Sequence, residues 1–507
     1  MYYYACHRQD RINDNQERFQ KNMQYDRKNT KLAILIIISG FLVRLINIKQ
    51  PILEVAGWRQ CATASIARNF YYNGMNLFYP QVLDGGTTNG IIGETEFHLY
   101  PFAVALLYKI FGVHEYLGRL VSILAFCGGA FFLYRLSRKY VDEATSLIAL
   151  LFYTFNPYIF FYSRSFQPES SMLFLSISML YYFSEWIDKE GWKRFALMTL
   201  CATTAFLIKL PTLCLGLPLL YLCLKKYKYN FVMQWQLWLF VCLSLIPTFL
   251  WYKHSHYLVS INNLSWSNLQ LSNYSIYLGS SFYSRVFYTE ILERDLLFVG
   301  GAFLILGIIF TFKKKEFGYI RYWLLAIIIF FFLGAEKTMV HTYYTIPLIA
   351  PASILIGYAI CNSTRLISAY KINGIKKAIL LTLYLLIVVS LPIIGYHKIT
   401  GRYETKRLAK DYPVRDAGMV VDRIASKDDL IIGSLWGGPE ILYYSNRRGW
   451  STGVYACSIG FIESCRNSGA KYFVTTKLDV IDSSVIDYLK KNYETIKSTN
   501  EYLIVKL

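Results

Sequence analysis

Several things that would mark this chain as a soluble, metal-dependent or nucleotide-using protein are missing from it. The ten cysteines form no CxxC pair and no Cys/His metal spacing; most, such as Cys127, Cys201, Cys214, Cys223, Cys242 and Cys361, lie inside apolar runs as small apolar fillers. Cys457 and Cys465 alone are placed where a disulfide can be considered, and spacing does not decide it. No glycine-rich phosphate loop is present, which argues against a soluble nucleotide donor. No repeat period is found. Acidic residues are scarce, 33 against 53 Lys and Arg, for a formal charge of +20. In a soluble chain that excess would suggest nucleic acid. Here the cations sit in short clusters between apolar runs, the footprint of membrane orientation, so no nucleic-acid partner is expected.

What is present is hydrophobic length. Over half of the 507 residues are apolar, and runs of about 15 to 22 residues recur, enough to cross or nearly cross a bilayer. The basic stretch with Arg8, Arg11, Arg18, Lys21, Arg27, Lys28 and Lys31 precedes the first run, Leu32 to Ile48, which ends in Asn47-Ile48-Lys49-Gln50 without a small-residue cleavage site. A retained span with a cytoplasmic N-terminus is expected. Spans near 32–49, 117–136, 144–163, 170–187, 195–209, 211–224, 231–252, 295–312, 322–336, 345–362 and 378–397 make about eleven transmembrane helices. With that parity, the clusters at Arg135/Arg138/Lys139, Lys189/Lys193/Arg194, Lys225/Lys226/Lys228, Lys313/Lys314/Lys315/Arg321 and Arg365/Lys371/Lys376/Lys377 all fall on the cytoplasmic side.

The run from Leu99 to Gly112 would reverse this parity if it crossed. It is short, starts at His98-Leu99-Tyr100-Pro101 and carries Lys109, so it reads as an interfacial helix. Residues 50–116 then form one extracytoplasmic loop, with a second interfacial helix where Arg59, Gln60, Thr63, Arg68 and Asn69 interleave with Ile66, Ala67 and Phe70. Arg164 to Glu169, Lys209-Leu210-Pro211, Lys253 to Asp295 and Glu336 to Tyr344 fall on the same side. After Tyr396 the pattern becomes soluble. Strand-like runs at 429–433, 471–475 and 502–505 alternate with helical ones at 414–425, 459–467 and 484–491. The organisation is thus a basic tail (1–31), a membrane domain (32–397) and a small extracytoplasmic α/β domain (398–507).

An outer-surface site without a nucleotide loop suits a donor that is itself a lipid. Transfer from a polyprenyl-phosphate sugar needs a carboxylate to deprotonate an acceptor hydroxyl and cations to hold the departing phosphate. The residues that could do this carry a resemblance. Gly57-Trp58-Arg59-Gln60 with Thr63 to Phe70, then Phe78-Tyr79-Pro80-Gln81, Glu96-Phe97-His98-Leu99-Tyr100-Pro101 and Gly118-Arg119-Leu120, resemble bacterial GT-C glycosyltransferases. These are the glycosyltransferase 39 and RgtA/B/C/D-like groups, relatives of protein O-mannosyltransferases and of the lipid A aminoarabinose transferase. The resemblance covers roughly residues 32 to 400. It implies the GT-C fold in the cytoplasmic (inner) membrane of a bacterium, and inverting transfer of a hexosyl or pentosyl group to an outer glycan, lipid or protein.

The family's first-loop acid would fall at Arg59, Gln60 or Ala62, and none is acidic. The carboxylates left as candidate bases are Glu96, Glu54 and Glu169, with Glu94 beside Glu96; Glu96 is favoured because it matches an acidic position before the second interfacial helix. For the donor phosphate the candidates are Lys209, Arg164, Arg285 and Arg59. His98, Tyr343 and Tyr344 are placed to line the donor site. Glu96 with His341 is the pair considered for a divalent ion. For each, an ordinary role competes: helix-end carboxylates stabilise a dipole, Lys and Arg at span ends snorkel, and a His beside tyrosines belongs to an aromatic belt. Arg44 and Arg119 are expected to face protein rather than lipid. A transporter or flippase of lipid-linked sugars, or a non-catalytic lipid-sugar binder, are the rival readings; the clustering of polar groups at one surface favours the transferase.

Overall fold

The computed structural model describes residues 29–265, 274–370, 374–403 and 412–507. The basic tail up to residue 28 and the stretches 266–273, 371–373 and 404–411 lie outside the described residues.

The chain opens with helix α1 (29–44) and the first-loop helices α2 (Gly57–Tyr72) and α3 (Leu99–Phe111), followed by α4 (Glu115–Ser137), α5 (Glu143–Phe155) and α6 (Pro157–Tyr162). Helices α7 (Glu169–Lys189), α8 (Trp192–Ile208), α9 (Gly216–Tyr227) and α10 (Trp235–Asn262) come next, then α11 (Ser280–Tyr283), α12 (Val299–Thr311), α13 (Gly318–Leu333) and α14 (Ala335–Val340). The membrane part closes with α15 (Ile349–Ala369) and α16 (Gly374–Tyr403).

Each predicted span overlaps helix, though not over its whole length: the run at 32–49 turns after residue 44, that at 322–336 breaks at Gly334, and that at 144–163 is split. Asn156 ends α5, and its side chain accepts from the N–H groups of Tyr158 and Ile159, with Pro157 opening α6. A capping Asn followed by Pro at the first helical position is a start signal that overrides the apolar continuity around it. Among the described residues five helices are long and apolar enough to cross a membrane, Glu115–Ser137, Trp235–Asn262, Lys315–Leu333, Thr342–Ala369 and Gly374–His397, and a bent pair, Ser280–Asp295 with Val299–Thr311 at 103°, makes a sixth if it is one span, against the eleven expected. The chain is a multi-pass membrane protein. Arg44 is fully buried, donating to Ser163 Oγ, Gly40 O and Thr154 O with its guanidinium 3.6 Å from the Phe126 ring centre. It faces protein, as an intramembrane arginine must.

After α17 (Tyr412–Ile424) come β1 (Leu430–Leu435), α18 (Glu440–Ser445), β2 (Gly449–Gly453), α19 (Ile459–Asn467), β3 (Ala470–Thr475), α20 (Ser483–Asn492), β4 (Glu494–Ser498) and β5 (Leu503–Lys506). The five-stranded sheet has the order β2-β1-β3-β5-β4, parallel across β2, β1 and β3 and antiparallel beyond. The strand-like and helical runs expected at 429–433, 471–475, 502–505, 414–425, 459–467 and 484–491 all correspond to elements. β2, β4 and α18 were not expected: β2 reads Gly-Trp-Ser-Thr-Gly and β4 is a polar edge, so neither carries a strand pattern.

This unit is not hung on a linker. One apolar core joins Ile52, Leu53, Cys61, Ala64 and Ala67 of the first loop to Val414, Ala417, Ile431, Leu442 and Ile504. The loop also extends the sheet edge: Gly85 N and Gly86 N donate to Gly449 O, Gly449 N donates to Leu83 O, and Ser451 N donates to Asp84 Oδ1 at 3.0 Å. Gly449, at φ 155°, is required there, because a Cβ would lie 1.8 Å from Ile431 O. Cys457 and Cys465 are both free and buried in the core on the other face of the sheet.

Candidate active site

Three local features bring the candidate residues together. α8 ends at Ile208 because Pro211 has no N–H to give to Leu207 O; the N–H of Phe97 takes that carbonyl instead, at 2.9 Å. That bond pins the residue after Glu96 to the helix end that carries Lys209. On the other side, α10 holds the same loop. Trp251 Nε1 donates to Thr95 O at 3.0 Å, Thr95 N donates to Ser255 Oγ at 3.1 Å, and Glu94 N donates to Ser255 O. Finally Gln60, one of the three positions where the resemblance would place an acid, accepts from Phe166 N through Oε1 at 2.9 Å. It clamps the turn before Pro168-Glu169 against α2.

The outcome is a chain of four charges. Arg59 is bonded to Glu96 Oε1, Lys209 Nζ lies 3.2 Å from Glu96 Oε2, and the same ammonium is 3.3 Å from Glu169 Oε1. All four side chains are largely or wholly buried. Their formal charges cancel, which is how burial of four ionic groups is tolerated. Burial by itself would raise the Glu96 carboxyl, but Arg59, then Lys209 and His98, outweigh it and hold it down at about 2. A carboxylate so held is a weak base. Burial, opposed by Glu96 and reinforced by Arg59 and Lys209, lowers His98 to about 4, so its imidazole is neutral at physiological pH. Glu169 is 1 % exposed and makes no hydrogen bond through either oxygen among the described residues, its ion pair with Lys209 aside.

The ammonium of Lys209 also sits 5.4 Å from the Tyr343 ring centre and 5.7 Å from that of Tyr344. His341 stacks on Tyr343 and tilts against Trp58. Burial, then Lys337, Arg59 and Lys209, lower its imidazole to about 4. From Glu96, Lys209 and Tyr344 a cavity of about 480 Å³ runs between Leu213, Leu217, Ala326, Ile329, Phe330 and Leu333, with Tyr252 and Lys337 at its sides. A second, smaller apolar cavity begins at Glu169, Lys209 and Tyr343.

Arg59, Glu96, His98, Glu169, Lys209, Tyr343 and Tyr344 are therefore brought together, with His341 at the edge. Three candidates stand apart. Glu54 Oε1 is held by Arg119, 2.9 Å away, and by Gln50, and its Oε2 is buried without a hydrogen-bond partner among the described residues; Arg164 feels that same pair rather than Lys209. Arg285 pairs with Glu290 at 3.2 Å and lines neither cavity. The divalent-ion pairing of Glu96 with His341 does not fit the donor chemistry. Both Glu96 oxygens face cations and His341 is packed among aromatic rings, and among the described residues no three His, Cys, Asp or Glu side chains are grouped to hold a metal. Tyr252 and Gln60 were not singled out in the sequence as site residues. Pro211 beside Lys209 was a usable signal for the helix end; nothing in the sequence revealed the Gln60 clamp.

This is the GT-C fold. Residues 98–252 match the family model described as dolichyl-phosphate-mannose-protein mannosyltransferase. The structure resembles ArnT from Cupriavidus metallidurans bound to undecaprenyl phosphate, with a TM-score of 0.62 at 13 % identity, covering 94 % of this chain and 97 % of that one. It also resembles the Archaeoglobus fulgidus oligosaccharyltransferase in its apo form, at TM-score 0.58 and 11 % identity over 88 % of this chain and 69 % of that one. The oligosaccharyltransferase AglB from Archaeoglobus fulgidus in complex with an inhibitory peptide and a dolichol-phosphate gives 0.55 at 11 %, over 93 % and 74 %. An uncharacterized protein of Aquifex aeolicus is 27 % identical over 270 residues; the match takes in 50 % of this chain and 57 % of that protein's length.

Proposed function

We propose that this protein is a glycosyltransferase that moves a sugar from a polyprenyl-phosphate carrier to a hydroxyl on an acceptor outside the cytoplasmic membrane, with inversion. The observation that carries the reading is the placement of Lys209, with Arg59 behind it through Glu96, at the head of the 480 Å³ apolar cavity. An anionic head on an apolar tail matches that surface in both parts.

In the resting site each cation is already matched by a carboxylate. A lipid phosphate arriving at Lys209 competes with Glu169 for the ammonium, and Glu169 is turned from an ion-pair partner into a base. Glu169 then takes the acceptor hydroxyl proton as the acceptor oxygen bonds to the anomeric carbon. The bond from that carbon to the phosphate oxygen breaks, its electron pair leaving with the polyprenyl phosphate, whose charge Lys209 and Arg59 stabilise. Glu96 keeps the two cations in place, Tyr343 and Tyr344 wall the ammonium, and Glu54 with Arg119 and Arg164 supports the first loop. The reading takes the orientation expected from the charge pattern, with this site and the sheet outside the cytoplasm.

Reconstitution with undecaprenyl-phosphate sugars, following release of undecaprenyl phosphate in the presence of envelope glycans, tests the proposal. Release that depends on Lys209 supports it. An active preparation in which Lys209→Met turns over as the parent does overturns it.

A further inference from the structure

The chemistry above uses the inner end of the first loop and leaves the C-terminal sheet without a task. At the carboxyl ends of its three parallel strands stand Trp436 after β1, Tyr455 after β2 and Lys477 after β3. This is the end of an open α/β sheet at which ligands bind, and β1 is where the strand order reverses. Trp436 is 56 % exposed and Tyr455 82 %, their ring centres 6.1 Å apart and tilted by 42°. Lys477 Nζ lies 5.6 Å from the Trp436 ring centre. The Oγ1 of neighbouring Thr476 is buried with no hydrogen-bond partner among the described residues.

The platform is held rigidly and aimed. The Trp436 backbone bridges to Gly453 at the end of β2, and Gly437 takes φ 86°, a conformation glycine adopts without strain. Gly438 packs so closely on the start of α2 that a Cβ there would come within 2.6 Å of Trp58 Cβ. Two residues, at most about 7 Å of chain, thus separate Trp436 from contact with Trp58. Trp58 is itself 37 % exposed, with His341 5.5 Å away and Tyr343 stacked beyond it. The chain after Trp436 therefore leads to Trp58, and from Trp58 aromatic rings continue through His341 to the tyrosines around Lys209.

We propose that Trp436, Tyr455 and Lys477 form a saccharide-binding subsite that holds an acceptor glycan, with Trp58 continuing the track toward the transfer site. The proposal rests on the glycosyltransferase reading for the word acceptor, but not for binding. Flat rings that carry a polar edge, beside an ammonium and a hydroxyl, suit pyranose faces and their hydroxyl groups. The surroundings favour sugar over lipid. In residues 412–507 the exposed large apolar side chains are Tyr412, Met419, Ile424, Trp436 and Tyr455, and the two aliphatic ones are on α17. A surface that enters a bilayer carries aliphatic residues around its aromatics; this one does not.

The test uses the full chain in nanodiscs and a panel of neutral di- to hexasaccharides of glucose, galactose, mannose, rhamnose and N-acetylglucosamine, read by tryptophan fluorescence and by saturation transfer. At least one series should bind, with affinity rising with length. Trp436→Ala combined with Tyr455→Ala should weaken it at least tenfold, while Trp436→Phe stays within threefold and the melting temperature does not move. Where turnover is measurable, the double variant should raise acceptor KM and leave kcat and donor binding unchanged. Glycan binding that persists in the double variant, or no binding by the parent at 10 mM, overturns the subsite. So does a double variant whose only change is weaker association of the detergent-free sheet face with anionic vesicles, which would make lipid the occupant. Glycan binding without any transfer from polyprenyl-phosphate sugars overturns the enzyme reading alone.

Discussion

Replacing Glu169 by Gln separates binding from chemistry, because the competition model gives the two opposite signs. Glu169 Oε1 lies 3.3 Å from Lys209 Nζ. At an effective dielectric constant of about 20, Coulomb's law makes that attraction ~5 kcal/mol before desolvation. A lipid phosphate recovers only part of it, since Glu96 keeps its hold on the same ammonium and an incoming dianion is itself desolvated. Removing the Glu169 charge should therefore tighten undecaprenyl phosphate binding by about 1 to 3 kcal/mol, roughly 5- to 150-fold. Loss of the base should at the same time lower turnover by about 10² to 10⁴. Binding is read by displacement of a fluorescent polyprenyl phosphate in nanodiscs, and turnover by carrier release; Glu169→Asp, which keeps the charge, should restore the parent affinity. Weaker phosphate binding by Glu169→Gln would refute the competition. Turnover within threefold of the parent would remove Glu169 as the base.

Glu54→Gln leaves the buried Arg119 short of its carboxylate and should cost about 3 kcal/mol of stability, seen as a lower melting temperature, while turnover per folded molecule changes less than threefold. Glu96→Gln strips the carboxylate shared by Arg59 and Lys209 and should lower both stability and the salt tolerance of phosphate binding, measured by thermal shift and by binding at rising ionic strength. Burial, against hydrogen bonds from Ser451, pushes the Asp84 carboxyl up to about 6. The folded state then holds a proton that the unfolded state has released between about pH 4 and 6, so stability is lost as pH rises through that window. Asp84→Asn should raise the melting temperature at pH 7.5, by a free energy of about 1 to 3 kcal/mol, and the gain should vanish below pH 4. Gly449→Ala drives a Cβ into Ile431 O and should cost about 3 kcal/mol or more, releasing loop 83–86 from the sheet edge, as hydrogen exchange at Gly85 and Gly86 would report.

Part of this protein was legible in its residues because the physics there is local. Apolar length marks helices whatever they pack against, so every expected run overlaps helix; Asn156-Pro157, a local start signal, shows how a run is nonetheless split. Short runs rich in aromatic and β-branched residues at 471–475 and 502–505 sufficed for β3 and β5, and no such run marks β2, whose place is set by neighbours on both sides rather than by its own side chains. Arg59, Glu96, Glu169 and Lys209 were each recognisable as polar groups out of keeping with their surroundings. Their ranking was not. Glu96 was favoured as the base, yet it is tied between two cations, whereas Glu169 answers to one.

By itself, then, the sequence determined the class: a multi-pass helical chain with a first loop resembling GT-C transferases, because hydrophobic period and motif residues act over a few positions. Which charges meet was decided only in three dimensions. A carbonyl left free by Pro211 is claimed by Phe97, an amide at Phe166 is claimed by Gln60, and a sheet edge is claimed by residues 83–86. Buried polar groups must find partners wherever the fold supplies them, and partners more than a hundred residues apart leave no spacing to read.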